Sequence, residues 1–326
     1  MSPSLGNLSV GMAVLVIPNQ VIWSYFSFGV ILAVGLVAMF LHADWQKARG
    51  LERLILFGPL FYAAPLAAFG TEHFTLTKII GSLIPAWIPW HLLWVYLVGT
   101  CFIAAALSLV TRIQARISAS LLALTFFLFV VLMDAPGWAH NPKDRIALAL
   151  TLRELSFSGG ALALAASLNW EGRERGAHIL ANVARYFIAI PVLVYSILQF
   201  MHGDHVPGVP LEMVTPQWLP GHAVWTYLAA VVYAIAGALL LIGKKTRDAA
   251  TWLGLTVLFV ILVVYVPIAV VERASFEGLN YMADTLMYCG AVLLLAGAMP
   301  PENNAGSDPL VTRLPDPIQA SHASKA

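Results

Sequence analysis

A sixteen-residue stretch, Ile84 to Gly99, recurs 131 residues further on, and this duplication constrains the fold more than any other feature. The first copy reads IPAWIPWHLLWVYLVG, and the second, from Thr215, reads TPQWLPGHAVWTYLAA. At that offset Pro85, Trp87, Pro89, His91, Trp94, Tyr96 and Leu97 fall on Pro216, Trp218, Pro220, His222, Trp225, Tyr227 and Leu228. Seven identities in thirteen positions, in rare residue types, exceed what apolar bias produces. The register extends to Arg116 on Arg247, Thr125 on Thr256 and Pro136 on Pro267. A chain built twice from one unit predicts two like bodies related by an axis.

Composition decides the medium. Of the 326 residues 60% are apolar and 11% charged, against about 25% charged in a soluble domain. Such a chain cannot cover itself with polar surface, so it belongs in a lipid bilayer. The net charge of +1 supplies no basic face for nucleic acid, and neither a GxxxxGK[ST] loop nor a GxGxxG fingerprint is present. Cys101 and Cys289 each sit inside an apolar run, the ordinary setting of a buried thiol.

Spans follow from length, since about 20 apolar residues cross the hydrocarbon. Val21 to Leu41 reads as a retained first helix, because nothing charged precedes it as in a signal peptide. Leu8 to Ile17, closed by Pro18, is too short to span and reads as interfacial. The first copy then offers apolar runs over 53–73, 90–110, 117–135 and 146–168. The second answers over 182–201, 222–242, 250–270 and 279–298. The predicted fold class is all-α: a polytopic membrane protein of nine transmembrane helices, one extra plus two four-helix repeats. An even number of spans per repeat makes the repeats parallel, related by an axis along the membrane normal. The domain division is 1–50 for the interfacial segment and first helix, 51–170 and 171–299 for the repeats, and 300–326 for a Pro-, Asn- and Ser-containing disordered tail.

Charge sets the expected orientation. Lys47, Arg49, Arg53, Arg112, Arg116, Arg173, Arg175, Arg185, Lys244, Lys245 and Arg247 lie between alternate spans, and Arg313 and Lys325 lie in the tail. Together these are 13 of the 18 basic residues. The positive-inside rule makes those loops cytoplasmic, the N-terminus external and the tail internal, in a bacterial-type inner membrane. Within the loops, Asn141-Pro142-Lys143-Asp144 reads as a cap, a proline at the first helical position and an acid in the first turn. Gly172 and Gly243 follow helix ends.

The Pro-Trp-Pro turn and its aromatic residues suit the headgroup zone, where amphipathic rings favour an interface, and the prolines stiffen the entry to the next helix. His91 and Trp94 share a helical face, as do His222 and Trp225, so each pair can also line a pocket. The pattern resembles the DoxX family of four-helix membrane proteins. Gly70-Thr71-Glu72-His73-Phe74 with Pro85 to Tyr96 carries the resemblance in the first half; Gln199-Phe200 with Pro216 to Tyr227 carries it in the second. It covers about 53–168 and 182–298. It implies a membrane subunit, some relatives being linked to thiosulfate:quinone oxidation and others to maturation of amine-dehydrogenase systems. His73 is matched by Gln199, and an acid often found early in the family's second helix is absent at Cys101-Phe102 and Val232-Tyr233.

Charges inside spans need a partner or a purpose. Arg153 and Glu154 sit two turns into one span, Asp284 at the comparable depth of the last, with Glu72, His73 and Asp134 at helix ends. Pairing of Arg153 with Glu72 or Asp134, and of Glu154 with His91, would make them structural locks. A polar pocket is the alternative, with Glu154 or His73 moving a proton and His91, Trp94, Glu72, Arg153, Asp134, His222, Trp225 and Asp284 as binding residues. His202, Asp204 and His205 form a weak metal pattern in a loop. Two functions remain: a subunit or scaffold that binds membrane or periplasmic protein partners, and a quinone-binding oxidoreductase subunit.

Overall fold

The computed structural model describes residues 19–168, 174–208 and 213–300, with the side chains of Asn19, Gln20 and His222 outside the described set. The segment Leu8–Ile17, Gly172, Arg173 and the tail with Arg313 and Lys325 also lie outside the described residues. Nine helices among the described residues are long and apolar enough to cross a membrane. They are α1 (Asn19–Leu41), α2 (Glu52–Thr75), α3 (His91–Thr111), α4 (Ala115–His140), α5 (Arg145–Ser167), α6 (Glu174–Met201), α7 (His222–Ile242), α8 (Thr246–Val271) and α9 (Phe276–Ala298). The chain is an all-α polytopic membrane protein.

The bounds of α3, α4 and α5 recur in α7, α8 and α9 at the same 131-residue offset. Local backbone recurs with them. Left-handed residues at Trp90, Arg112 and Gln114 reappear as Gly221, Gly243 and Lys245. Gly243, with φ +81°, ends α7 as expected of a helix C-cap. Asp144 caps α5 by accepting from the Ile146 and Ala147 amides, and Ser275, its equivalent, caps α9 through the Glu277 amide. The cap is therefore Asp144, not the expected Asn141, because Asn141 and Pro142 are used in the preceding turn.

Asp134 does not end its helix either. Pro136 cannot donate to a carbonyl one turn back. The backbone instead widens into a π turn over Val130–Asp134 and continues as α-helix to His140. Pro267 has the same effect on Ile261–Tyr265 in α8.

The helices pack as a ring in chain order from α2 to α9, which closes back on α2, while α5 and α9 also meet across the middle. α1 lies outside, against α2 and α3. The first helix of each half therefore leans on the last helix of the other half: α2 on α9, and α6 on α5. Without a hydrophobic drive between helices in lipid, small residues that let backbones approach set these contacts. Gly290 of α9 faces the backbone of Gly58, Phe61 and Tyr62, and Gly159 of α5 faces Ala184, Phe187 and Ile188. Those two contacts are copies of each other. At the centre Gly160 of α5 lies against Ala291 of α9, its own equivalent position.

Arg153 meets Asp284 two turns earlier on the same two helices, so α5 and α9 run parallel. The connections on either side of α4 and of α8 are short, so both Trp-containing turns, at the starts of α3 and α7, fall on the face where α5 and α9 begin, here called the motif face. On the opposite face two arginines meet helix ends. Arg185 donates to the Leu240 and Leu241 carbonyls at the end of α7, and Arg247 to the Ala296 and Met299 carbonyls at the end of α9. Cations at helix C-termini satisfy orphan carbonyls and oppose the helix dipole.

A methyl at Gly290 would lie 2.5 Å from the Tyr62 amide nitrogen, whereas at Gly297 its nearest neighbour is an Ile55 side-chain atom at 3.4 Å. Gly290→Ala should therefore destabilise the fold by about 1–3 kcal/mol. Gly297→Ala should be neutral or stabilising, because alanine is the better helix former. Melting temperatures of the two variants in one detergent distinguish the sites. Equal effects would mean that α2 and α9 are not in this close contact.

Candidate functional site

The candidate site begins with one cation. Arg153 lies eight residues past Arg145, the start of α5, or about 12 Å below the motif-face end of the helix at 1.5 Å per residue. Its Nη1 donates to Asp284 Oδ2 at 2.7 Å, and its Nη2 to Glu154 Oε1 at 3.1 Å. Arg153 and Asp284 are separated by 131 residues, the repeat offset, so they occupy one position in the two copies. The ion pair joins the halves across their axis.

Two more acids face this pair from flanking helices. Glu72 of α2, 6% exposed, lies beside Asn280 and Asp284 of α9. Asp134, in the π turn of α4, faces Arg153 and Glu154. Without the extra residue that Pro136 forces into the turn, α4 would present a different side chain here. Glu72 Oε1, Asp134 Oδ2, Glu154 Oε2 and Asn280 Oδ1 are buried and have no hydrogen-bond partner among the described residues. Four helices thus bring four carboxyls into one cluster, three of them beside the Arg153 guanidinium and Glu72 beside Asp284, with oxygens left to accept hydrogen bonds. Chemically, such a set can hold and exchange protons or bind a hydrogen-bond donor.

The other half repeats the backbone of this site without its acids. Tyr265 stands where the first copy has Asp134, Thr285 where it has Glu154, and Gln199 where it has His73. Tyr233 and Tyr288 stand where it has Phe102 and Phe157, and Tyr195, in the 126-residue register that sets Gln199 of α6 on His73 of α2, stands where it has Phe69. The acids therefore gather on the side of the first half, around α2, α4, α5 and α9.

The remaining candidates fall into separate places. His73 is packed between α2 and α3, its Nδ1–H donating to the Phe69 carbonyl at 2.7 Å and its ring edge-on to Phe102 at 5.5 Å. That bond leaves Nε2 as the acceptor nitrogen. His91, half-buried, lines a shallow apolar groove with Ile88, Trp90, Leu92 and Leu93 at the start of α3. The expected pairing of Glu154 with His91 is replaced by the Glu154–Arg153 pair, because Arg153 is the adjacent residue and reaches Oε1 within one turn. The ion pairs of Arg153 run to Asp284 and Glu154, where the sequence suggested Glu72 or Asp134. Trp94 Nε1 donates to the Pro89 carbonyl at 3.1 Å, and Trp225 Nε1 to that of Pro220 at 2.7 Å. Both indoles thereby lock their own turns. The His222 side chain lies outside the described residues.

The loop histidines are arranged against a cation. His205 Nδ1–H donates to Asp204 at 2.8 Å, and its Nε2 accepts from the Arg145 guanidinium at 3.1 Å. Both ring nitrogens are occupied, one by a positive group. The His205 N–H holds the exposed Asp204 carboxyl below the usual carboxylate range. His202 sits edge-on to His205 at 5.7 Å, and desolvation with the nearby Arg145 charge pushes it below the ordinary histidine range. No group of three or more His, Cys, Asp or Glu side chains among the described residues is arranged to hold a metal ion.

Sequence reasoning overlooked the direct Arg153–Asp284 bond and the three tyrosines. The signal for the first was available: the 131-residue register places those two positions on each other. The tyrosines had none, since an isolated Tyr in an apolar run reads as core. No protein-family model, curated protein or solved structure matches this chain.

Truncating one partner of a buried ion pair leaves an uncompensated charge and costs about 3–5 kcal/mol. Arg153→Asp should therefore sharply reduce the melting temperature and the monodisperse yield in detergent. The exchanged pair Arg153→Asp with Asp284→Arg should recover much of both, because the two positions are equivalent about the axis. Failure of the double variant to improve on the single one would refute a symmetric contact.

Proposed function

We propose that this chain is a DoxX-like integral membrane subunit of a redox-linked membrane complex, lying in a bacterial-type cytoplasmic membrane with the motif face outward. Its own contribution is proton exchange at the Arg153 site. One observation carries this reading: four helices hold four carboxyls in one cluster within the span, three of them at the single guanidinium of Arg153, with carboxyl oxygens left without a hydrogen-bond partner among the described residues. Ionisable residues at such depth are rare and mark proton or ligand pathways. A set with surplus acid passes protons between neighbouring oxygens, as general acid–base work requires. Partner subunits, membrane or periplasmic, would supply the electron carrier, since hydride or electron transfer rests on a cofactor rather than on side chains.

A second reading, a quinone-binding oxidoreductase subunit, draws on the groove of Ile88, Trp90, His91, Leu92 and Leu93 at the outer end of α3. An apolar cleft with one histidine suits a flat, hydrogen-bond-accepting head group. The acids of the Arg153 site would then exchange the protons of quinone turnover.

Purification of the full chain in mild detergent, with an optical spectrum and lipid extraction, separates the readings. The first expects no chromophore and no stoichiometric quinone; a bound quinone at one per chain would move the second reading to the front. Glu154→Gln keeps size and shape but removes the exchangeable proton. It should lower turnover of the native complex by about 100-fold with little change in melting temperature. Unchanged turnover with lowered stability would reduce Glu154 to a structural partner of Arg153.

A further inference from the structure

We propose that the second half encloses a chain of ordered water molecules, held by Tyr288, Tyr233 and Gln199, that links the Arg153 site to the loop covering the motif face. The inference does not depend on proton exchange at that site. It starts from buried polar atoms with nothing to bond. Tyr233 and Tyr288 are fully buried in α7 and α9, and neither hydroxyl has a hydrogen-bond partner among the described residues. Gln199 of α6 is equally buried, and its Oε1 is likewise unpartnered. An unsatisfied hydroxyl in a protein interior is destabilising, and internal water is the usual remedy where two to four polar groups converge.

The groups are in sequence. Tyr195 donates to the Ala149 carbonyl, one helical turn from Arg153 on α5, and its phenol lies in the field of Arg153 and Asp284. The Tyr195 and Tyr288 rings are 6.0 Å apart, and those of Tyr288 and Tyr233 are 6.3 Å apart. Beyond Tyr233 comes Tyr265, whose hydroxyl donates to the Pro207 carbonyl at 2.6 Å. Gln199 Nε2 donates to the Gly208 carbonyl at 3.4 Å. The segment Val206–Gly208 is itself buried, held by Val206 on Met213 and by Thr226 on the His205 carbonyl. The phenols thus run from the Arg153 site to the underside of this loop.

The two halves offer an internal comparison. Phe157, Phe102 and Phe69 hold the equivalent positions in the first half, so the second half differs by added hydroxyls within an otherwise matching frame. Tyr62 serves as the contrast: fully buried as well, it donates to the Phe157 carbonyl at 2.8 Å and needs no water.

Radiolytic hydroxyl labelling of the full chain in detergent, in water enriched in oxygen-18, tests the proposal. Side chains that touch internal water are labelled even when shielded from bulk solvent. Tyr288 and Tyr233 should be labelled on the order of tenfold more than Tyr62, because only they contact bound water. Labelling no greater than that of Tyr62 would overturn the proposal. The melting temperature of Tyr288→Phe, which installs the first half's own residue, gives an independent readout. Loss of a hydroxyl bonded to water should lower it by about 2 °C or more. An unchanged or higher melting temperature would mean that the hydroxyl was dry and unsatisfied, which also overturns the proposal.

Discussion

The Arg153–Asp284 ion pair is the constraint on which the remainder of this structure hangs. A charge placed well inside a span must be neutralised within reach, and the duplicated architecture brings two equivalent positions face to face on the axis. At an ordinary twofold axis identical residues would meet, and like charges would repel. Here the two positions belong to one chain and differ, one basic and one acidic. The same axis brings Gly160 against Ala291, so the charged contact and the closest backbone approach lie two turns apart on the same helix pair. Close packing and ion pairing therefore support each other: the small residues bring α5 and α9 near enough for Arg153 to reach across.

From that pair the burial pattern follows. Of its apolar window α9 buries 78% and α1 22%, although α9 is among the less apolar of the nine helices. Lipid-facing helices must be apolar all round, whereas a helix surrounded by protein can carry Asp284, Asn280, Tyr288 and three glycines without exposing them. The interlocking of α2 with α9 and of α6 with α5 makes the two halves one body. It also explains why the acids of the candidate site come from both halves: Glu72, Asp134 and Glu154 from the first, and Asp284 from the second.

The halves share a backbone and differ in polarity. The π turns at Val130–Asp134 and Ile261–Tyr265 present an acid in one copy and a phenol in the other. Around them the first half sets carboxyls among phenylalanines, and the second sets hydroxyls where those phenylalanines would be. One lobe is thereby suited to proton exchange and the other to neutral hydrogen bonding, on the same scaffold.

Much of the architecture was legible from residue order. The length and apolarity of the runs predicted nine spans, and the even number of spans between recurring positions implied that those positions face the same way, because both depend on local composition and on order that the chain states outright. The Trp-containing turns read as rigid punctuation, and in the structure each is tied by an indole-to-carbonyl bond. The candidate acids were also recognisable one by one, since a charge in a span is conspicuous. Which groups meet was decided only by tertiary structure. The partner of Arg153, the placing of Glu72 beside Asp284 and of Asp134 beside Arg153, the continuation of α4 past Pro136 and the occupied nitrogens of His205 all depend on which helix faces which, and on a π turn that shifts one register. Hydropathy is a sum over neighbours in sequence. Pairing is a matter of angstroms between residues far apart in it.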